Sequence, residues 1–253
     1  MLQNFNMKTY THSYSLTLDD IDGQNFRLTP LAAIGYMQDA SARLTALNKM
    51  AYYDLLARNQ YWVIKEMNIS FIGERPSWAK EITVECWFSE ITRLKVYIDF
   101  LIRVGSCVVA RGSTLWLVID GEKHQPVAVP GMQDLLKIPE GLAVIKHSRF
   151  VLPETIGECQ SFKRVARESD TDFNGHVNNK RYLQFALRSV ADETQDKTLL
   201  ELQARFNQEV FEGEVLNCTA YKTYLSNRFV HIMYQHTTPV CEVVTSWSGQ
   251  EGG

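Results

Sequence analysis

The sequence is poor in several features that would narrow its class at once. No apolar run approaches the roughly 20 residues that span a bilayer, and the opening MLQNFNMKTY lacks the apolar core of a secretory signal. The five cysteines (Cys86, Cys107, Cys159, Cys218, Cys241) are odd in number, and no two stand in a CxxC spacing. A disulfide or zinc framework is therefore excluded, and four of the five sit in apolar, strand-like runs, as reduced buried thiols do. Basic charge is not in excess: 26 Lys and Arg against 29 Asp and Glu give a net charge of −3. No global field favours nucleic acid. No Gly-x-Ser-x-Gly elbow occurs, so a serine nucleophile has no support. His12, His124, His147, His231 and His236 form no metal-ligand spacing. Together these absences predict a soluble, cytoplasmic protein with no metal, cofactor or membrane span.

What is present can build real cores. The chain has 253 residues and is 45% hydrophobic, which suits two small domains better than one ordinary one. In KTYTHSYSLTL (8–18) larger residues alternate with Thr and Ser, the period of a half-buried strand, with His12 as a packed strand residue. Thr29 and Pro30 then open a helix as N-cap and first residue, with Ala33, Met37, Ala40, Leu44 and Leu47 on one stripe. Four strand-like runs follow at 61–70, 81–91, 96–104 and 107–119. Residues 122–159 hold four of the seven prolines and read as a connector with a short helical piece near 132–137.

The order then repeats. A strand is predicted at 160–169 and a helix at 178–190 with Leu183, Ala186, Leu187 and Val190 on one face. Strands are predicted at 199–208, 214–224, 228–236 and 239–247. YMQDA (36–40) and YLQFA (182–186) fall at the same point of both series, 146 residues apart, as a duplication would place them. A helix between one strand and four sequential strands is best buried by wrapping an antiparallel sheet around it. This layout resembles the double hotdog fold: an α+β chain of two β-α-β-β-β-β units, at 1–132 and 159–253, with a linker at 133–158.

DTDFNGHVNNKRY (170–182) stands out from this pattern, and three readings compete. The first is a turn and helix cap, since Asp and Asn bond nearby backbone and Asn174-Gly175 is a strong turn signal. The second is a calcium loop, which Asp170, Asp172, Asn174 and Gly175 fit; but the twelfth position, where a bidentate Glu belongs, is Arg181. The third is an active site. Asp172, Asn174 and His176 at alternate positions of an extended lead-in would project to one side, before a helix N-terminus that favours developing negative charge.

The stretch DTDFNGHVNNKRYLQF resembles the acyl-ACP thioesterase signature D-x-D-x-N-x-H-V-N-N-x-x-Y. RFNQEVFEGEVLNC (205–218) is similar to a second block of that family, which has a Glu on a strand facing the motif helix; here it is Glu209. MQDASA, YWVIKEMNI, RPSW (75–78), VYIDFLI and GSTLWLVID (112–120) fall in the family's order, so the resemblance covers nearly the whole chain. It implies two fused hotdog units that hydrolyse fatty acyl-ACP in fatty acid biosynthesis, with Asp172, Asn174, His176 and Glu209 as functional residues. Plant members often carry Cys after the Glu. Here Val210 stands there, against a cysteine nucleophile.

The implied mechanism is direct attack by water. Glu209 is the candidate base, with His176 as its rival for that role. Asn174 holds water or carbonyl, Asp172 orients His176 or the loop, and the backbone N–H groups of Val177 and Asn178 serve as oxyanion donors. Counting back 146 residues from Asp172, Asn174 and His176 gives Phe26, Leu28 and Pro30, none able to transfer a proton. The first unit then reads as the acyl-chain pocket, with Ala33, Tyr36 and Met37 as lining or as plain core. Lys163, Arg164, Lys180 and Arg181 are candidates for docking the acidic carrier protein with its phosphopantetheine arm. The alternatives are an acyl-CoA thioesterase and a non-catalytic acyl-binding hotdog protein. Chain length and pairing into a homodimer stay open.

Overall fold

Strand β1 (Thr9–Ser15) forms where the large residues alternate, and it pairs with β3 (Glu81–Ile91). β1 is an edge strand, and its His12 is exposed, edge-on to Tyr14 at 4.7 Å rather than packed. The computed structural model describes residues 9–128, 150–172 and 174–249. The helical piece expected near 132–137 lies outside them. The chain divides into two units, Met1–His147 and Ser148–Gly253.

In the first unit, α1 (Pro30–Leu47) starts where Thr29 accepts the Ala32 N–H at 3.1 Å and Pro30 takes the first helical position. Its buried stripe is Ala33, Ile34, Met37, Ala40, Ser41, Leu44 and Thr45. Leu47, expected on that stripe, is on the exposed side at the last turn. Strands β2 (Gln60–Phe71), β4 (Val96–Val104) and β5 (Cys107–Asp120) complete an antiparallel sheet in the order β1-β3-β4-β5-β2. The two-residue strand β6 (Pro126–Val127) pairs with β5 inside the expected connector. A short helix, α2 (Tyr52–Leu56), precedes β2. Helix α1 lies close on the sheet because β5 has Gly112 under it: a Cβ there would run into the end of Met37. Trp87, Phe88 and Phe100 fill the core.

The second unit repeats the plan. β7 (Thr155–Val165) begins five residues before the strand expected at 160, on the edge of a sheet ordered β8-β11-β10-β9-β7. The other strands are β8 (Leu199–Phe206), β9 (Val215–Thr223), β10 (Arg228–Gln235) and β11 (Thr238–Trp247). Helix α3 (Asn179–Arg188) buries Tyr182, Leu183, Phe185 and Ala186 against it, while Leu187 is only half-buried. Val230 and Val244 alternate with the residues under α3 and pack with Phe150. Each unit is thus an antiparallel sheet with one long helix buried on it, the hotdog arrangement expected from the order of elements.

Of the five free cysteines, Cys86, Cys218 and Cys241 are buried, whereas Cys107 is exposed. No helix among the described residues is long and apolar enough to cross a membrane.

Candidate active site

The motif stretch folds as a closed loop, not as an extended lead-in. The Asp172 N–H donates to the His176 carbonyl at 2.8 Å, and the Gly175 N–H donates to the Asp172 carbonyl at 2.9 Å. The Asp172 carboxylate accepts the Asn174 N–H at 2.8 Å, an Asx turn. Gly175 has φ of +79°, a left-handed conformation that glycine adopts without steric cost. Asp172 therefore shapes the loop rather than gripping the imidazole, and Asn174 is exposed at its tip. Asn178 caps α3 by accepting the Lys180 N–H at 2.9 Å.

His176 is brought to Glu209 by a bridge between His176 and Phe211. Its Nδ1 lies 3.5 Å from Glu209 Oε1, with the two side chains 23% and 39% exposed, so both solvent and a ligand can reach them. Glu209 is not on a strand, as expected, but in the segment after β8. The Phe211 ring stands edge-on to the imidazole at 4.8 Å and 86°. Phe211 carries no sequence signal of this role; only the chain pairing reveals it.

Val177 and Asn178 do not serve as predicted. The Val177 N–H donates to the Val210 carbonyl and the Asn178 N–H to the Asp170 carbonyl, both at 2.8 Å. Those bonds close the loop against its neighbours, so neither N–H is available to an oxyanion. The calcium reading also fails on geometry: Asp170 is 2% exposed and faces Arg164 and Arg181. Among the described residues no group of three His, Cys, Asp or Glu could hold a metal ion. Burial pushes the Cys218 thiol up to about 12 and raises that of Cys241 well above its ordinary value. Both stay protonated and offer no nucleophile.

Of the four expected docking cations, Lys163 is exposed and Lys180 half-buried. Arg164 and Arg181 direct their guanidinium groups at Asp170.

The first unit reproduces this loop bond for bond, in a register different from the 146-residue offset. Asp22 N–H donates to Arg27 O, Thr29 N–H to Asp20 O, and Leu28 N–H to Pro76 O, each at 2.8 Å. The Asp22 carboxylate accepts the Gln24 N–H at 2.8 Å. The counterparts of Asn174, His176 and Glu209 are thus Gln24, Arg27 and Arg75, not Phe26, Leu28 and Pro30. Arg27 is ion-paired with Glu74, and Arg75 donates to the Leu28 carbonyl at 3.0 Å. Fixed cations replace the imidazole and the carboxylate, so this copy of the loop has no base at either place.

Comparison with known proteins identifies the family. Residues 7–137 match the acyl-ACP thioesterase N-terminal domain, and residues 155–249 match the C-terminal domain. A chloroplastic acyl-[acyl-carrier-protein] hydrolase of Cuphea viscosissima is 24% identical over 203 residues, 76% of this chain and 47% of that protein. The chloroplastic oleoyl-acyl carrier protein thioesterase 1 of Arabidopsis thaliana is 21% identical over 187 residues, 67% of this chain and 48% of that one. The chain spans about half the length of the curated relatives it matches. Among solved structures, the 12:0-ACP thioesterase of Umbellularia californica superposes with a TM-score of 0.82 at 16% identity, covering 95% of this chain and 97% of that one. An acyl-ACP thioesterase of Bacteroides thetaiotaomicron gives 0.80 at 18% identity, covering 96% and 99%. With both domain types matched in order along one double-hotdog chain, the protein belongs to the acyl-ACP thioesterase family.

Proposed function

We propose that this chain hydrolyses the thioester of a fatty acyl chain carried on acyl carrier protein, releasing the free fatty acid and the carrier thiol. The observation that carries this reading is the His176–Glu209 pair, 3.5 Å apart, on a loop with an exposed amide at Asn174. Two proton-transfer groups in contact, beside a polar donor, suffice for addition of water to a carbonyl. The plant relatives are named as hydrolases and thioesterases of acyl carrier protein, which favours that carrier over coenzyme A. The second unit supplies the chemistry, and the first, with arginines in place of the pair, holds the acyl chain. The cytoplasm is the expected compartment.

In this mechanism Glu209 takes a proton from water as the oxygen bonds to the thioester carbon. The Asn174 amide donates to the carbonyl oxygen, which becomes the oxyanion. The proton held by Glu209 passes to His176 Nδ1 across their contact, and as collapse breaks the C–S bond the imidazolium delivers its Nε2 proton to the leaving sulfur. Glu209 is then a carboxylate and His176 a neutral ring, and water and thioester have become acid and thiol. A second reading has a specific observation in its favour: the Nδ1 edge of His176 faces Glu209. A carboxylate there orients the ring and leaves Nε2 as the base.

Thiol release from a panel of acyl-ACP and acyl-CoA substrates tests both. Wild-type protein should turn over acyl-ACP, and Glu209→Gln should lose roughly 10²- to 10⁴-fold in kcat. If Glu209→Gln keeps a tenth of the activity while His176→Ala abolishes it, His176 is the base. If neither carrier is hydrolysed, the protein is an acyl-binding member without activity.

A further inference from the structure

We propose that Asp170, clamped between Arg164 and Arg181, is a positioning residue for the loop that carries Asp172, Asn174 and His176. The inference rests on the thioesterase reading above and adds a residue outside the reacting set. A carboxylate buried to 2% exposure is costly unless its charge is matched. Asp170 is matched from three elements. Arg164 of β7 donates Nη2 to both carboxylate oxygens, at 3.1 and 3.4 Å. The Arg167 N–H donates at 3.2 Å, and Arg181 Nε of α3 lies 3.5 Å away. The Asp170 carbonyl accepts the Asn178 N–H at 2.8 Å. One residue therefore ties the entry of the loop through its side chain and the exit through its backbone.

Arg181 is held there against a local cost. A cation in the first turn of a helix opposes the helix dipole. Its pairing with Asp170, and the 2.8 Å bond from Nη2 to the Ser169 carbonyl, offset that cost. The two arginines thus act on the loop, which is a different task from meeting a carrier protein.

The duplicated unit gives an internal comparison. Asp20 occupies the same place and makes the same backbone bond to Thr29. Its carboxylate is served by the hydroxyls of Thr17 and Tyr36, both at 2.7 Å. Hydrogen bonds from a charged guanidinium are stronger than those from neutral hydroxyls, so the Asp170 carboxylate is held the more tightly by Arg164. Catalytic geometry is sensitive on this scale, since a misplacement of about 1 Å costs on the order of 10²-fold in rate.

The test compares Asp170→Asn with Asp20→Asn, measuring kcat and KM on acyl-ACP and acyl-CoA, thermal stability, and the NMR resonances of the His176 ring. Asp170→Asn should lower kcat roughly 10- to 100-fold, equally on both carriers, with KM nearly unchanged and the His176 resonances shifted. Asp20→Asn should lose a similar amount of stability and keep its kcat. The proposal is overturned if Asp170→Asn leaves kcat and the His176 resonances unmoved, or if its loss is confined to acyl-ACP, which would make the clamp a docking feature. Should Asp170→Asn not fold, Arg181→Gln carries the same comparison at a partly exposed position. If the wild type hydrolyses no thioester, the proposed function falls, and the His176 resonances still decide the clamp.

Discussion

His231 sits in a hydrogen-bond chain that runs in one direction. Trp247 donates to the Thr245 hydroxyl at 3.0 Å, and that hydroxyl meets His231 Nε2 at 3.0 Å. On the other side Nδ1 meets Ser189 Oγ at 2.9 Å, and Ser189 donates onward to the Ala186 carbonyl at 2.7 Å. With Thr245 accepting from Trp247 and Ser189 donating to Ala186, the ring carries its proton on Nδ1 and is neutral. Complete burial lowers its pKa from an ordinary 6.5 to about 3. Between those values the unfolded chain binds one more proton than the folded one, so stability rises with pH across that window and is lost as pH falls below 6.5. The slope is about 1.4 kcal/mol per pH unit. Urea unfolding at pH 7 and pH 5 should differ by on the order of 2 kcal/mol from this group alone, and His231→Gln should flatten that difference. The sequence shows His231 inside a strand pattern and no more, because its partners come from a helix end and a neighbouring strand. Asp170 is similar: its place in DTDFN is legible, but its two arginines are 6 and 11 residues away on separate elements, and only folding brings them to it.

Elements with strong periodicity were readable, and those set by contact were not. The runs at 81–91 and 96–104 became β3 and β4 without change, since both are rich in β-branched and aromatic residues, are largely buried, and end at turns. β7 was placed five residues late because Thr155–Gln160 is mostly exposed on an edge, where no core demands alternation. The YMQDA and YLQFA match gave an offset of 146, whereas the capping bonds of Thr29 and Asn178 give 149. The difference of three is nearly one helical turn, so letters on one helix face matched while the caps did not. The turn just before each helix shows the same contrast in backbone: Gly175 and Phe26 both have positive φ, and Phe26 takes that conformation without glycine's freedom. At the contact between α1 and its sheet, Gly112 permits close approach over Met37. Gly112→Val should cost about 1–3 kcal/mol through overpacking, read as a lower midpoint in chemical unfolding.

Across the whole chain, charge is distributed against the average. The net charge is −3, yet Lys180 follows the His176 loop in the first turn of α3 and Lys163 is exposed on β7, and neither is among the Asp170 ion pairs. Under the proposed function these two are candidates for meeting an acidic carrier protein. Reversing both to Glu should raise KM for acyl-ACP more than for acyl-CoA and reduce the salt dependence of the acyl-ACP reaction, with kcat at saturation little affected. Equal effects on the two carriers would remove docking from their account. The duplication itself has a consequence for what fixes the loop's shape. The loop backbone is present in the first unit although arginines stand where the second has its imidazole and carboxylate. Scaffold and side-chain chemistry are therefore separable in this fold: the Asp20 and Asp22 anchors hold the loop's shape where neither that imidazole nor that carboxylate stands.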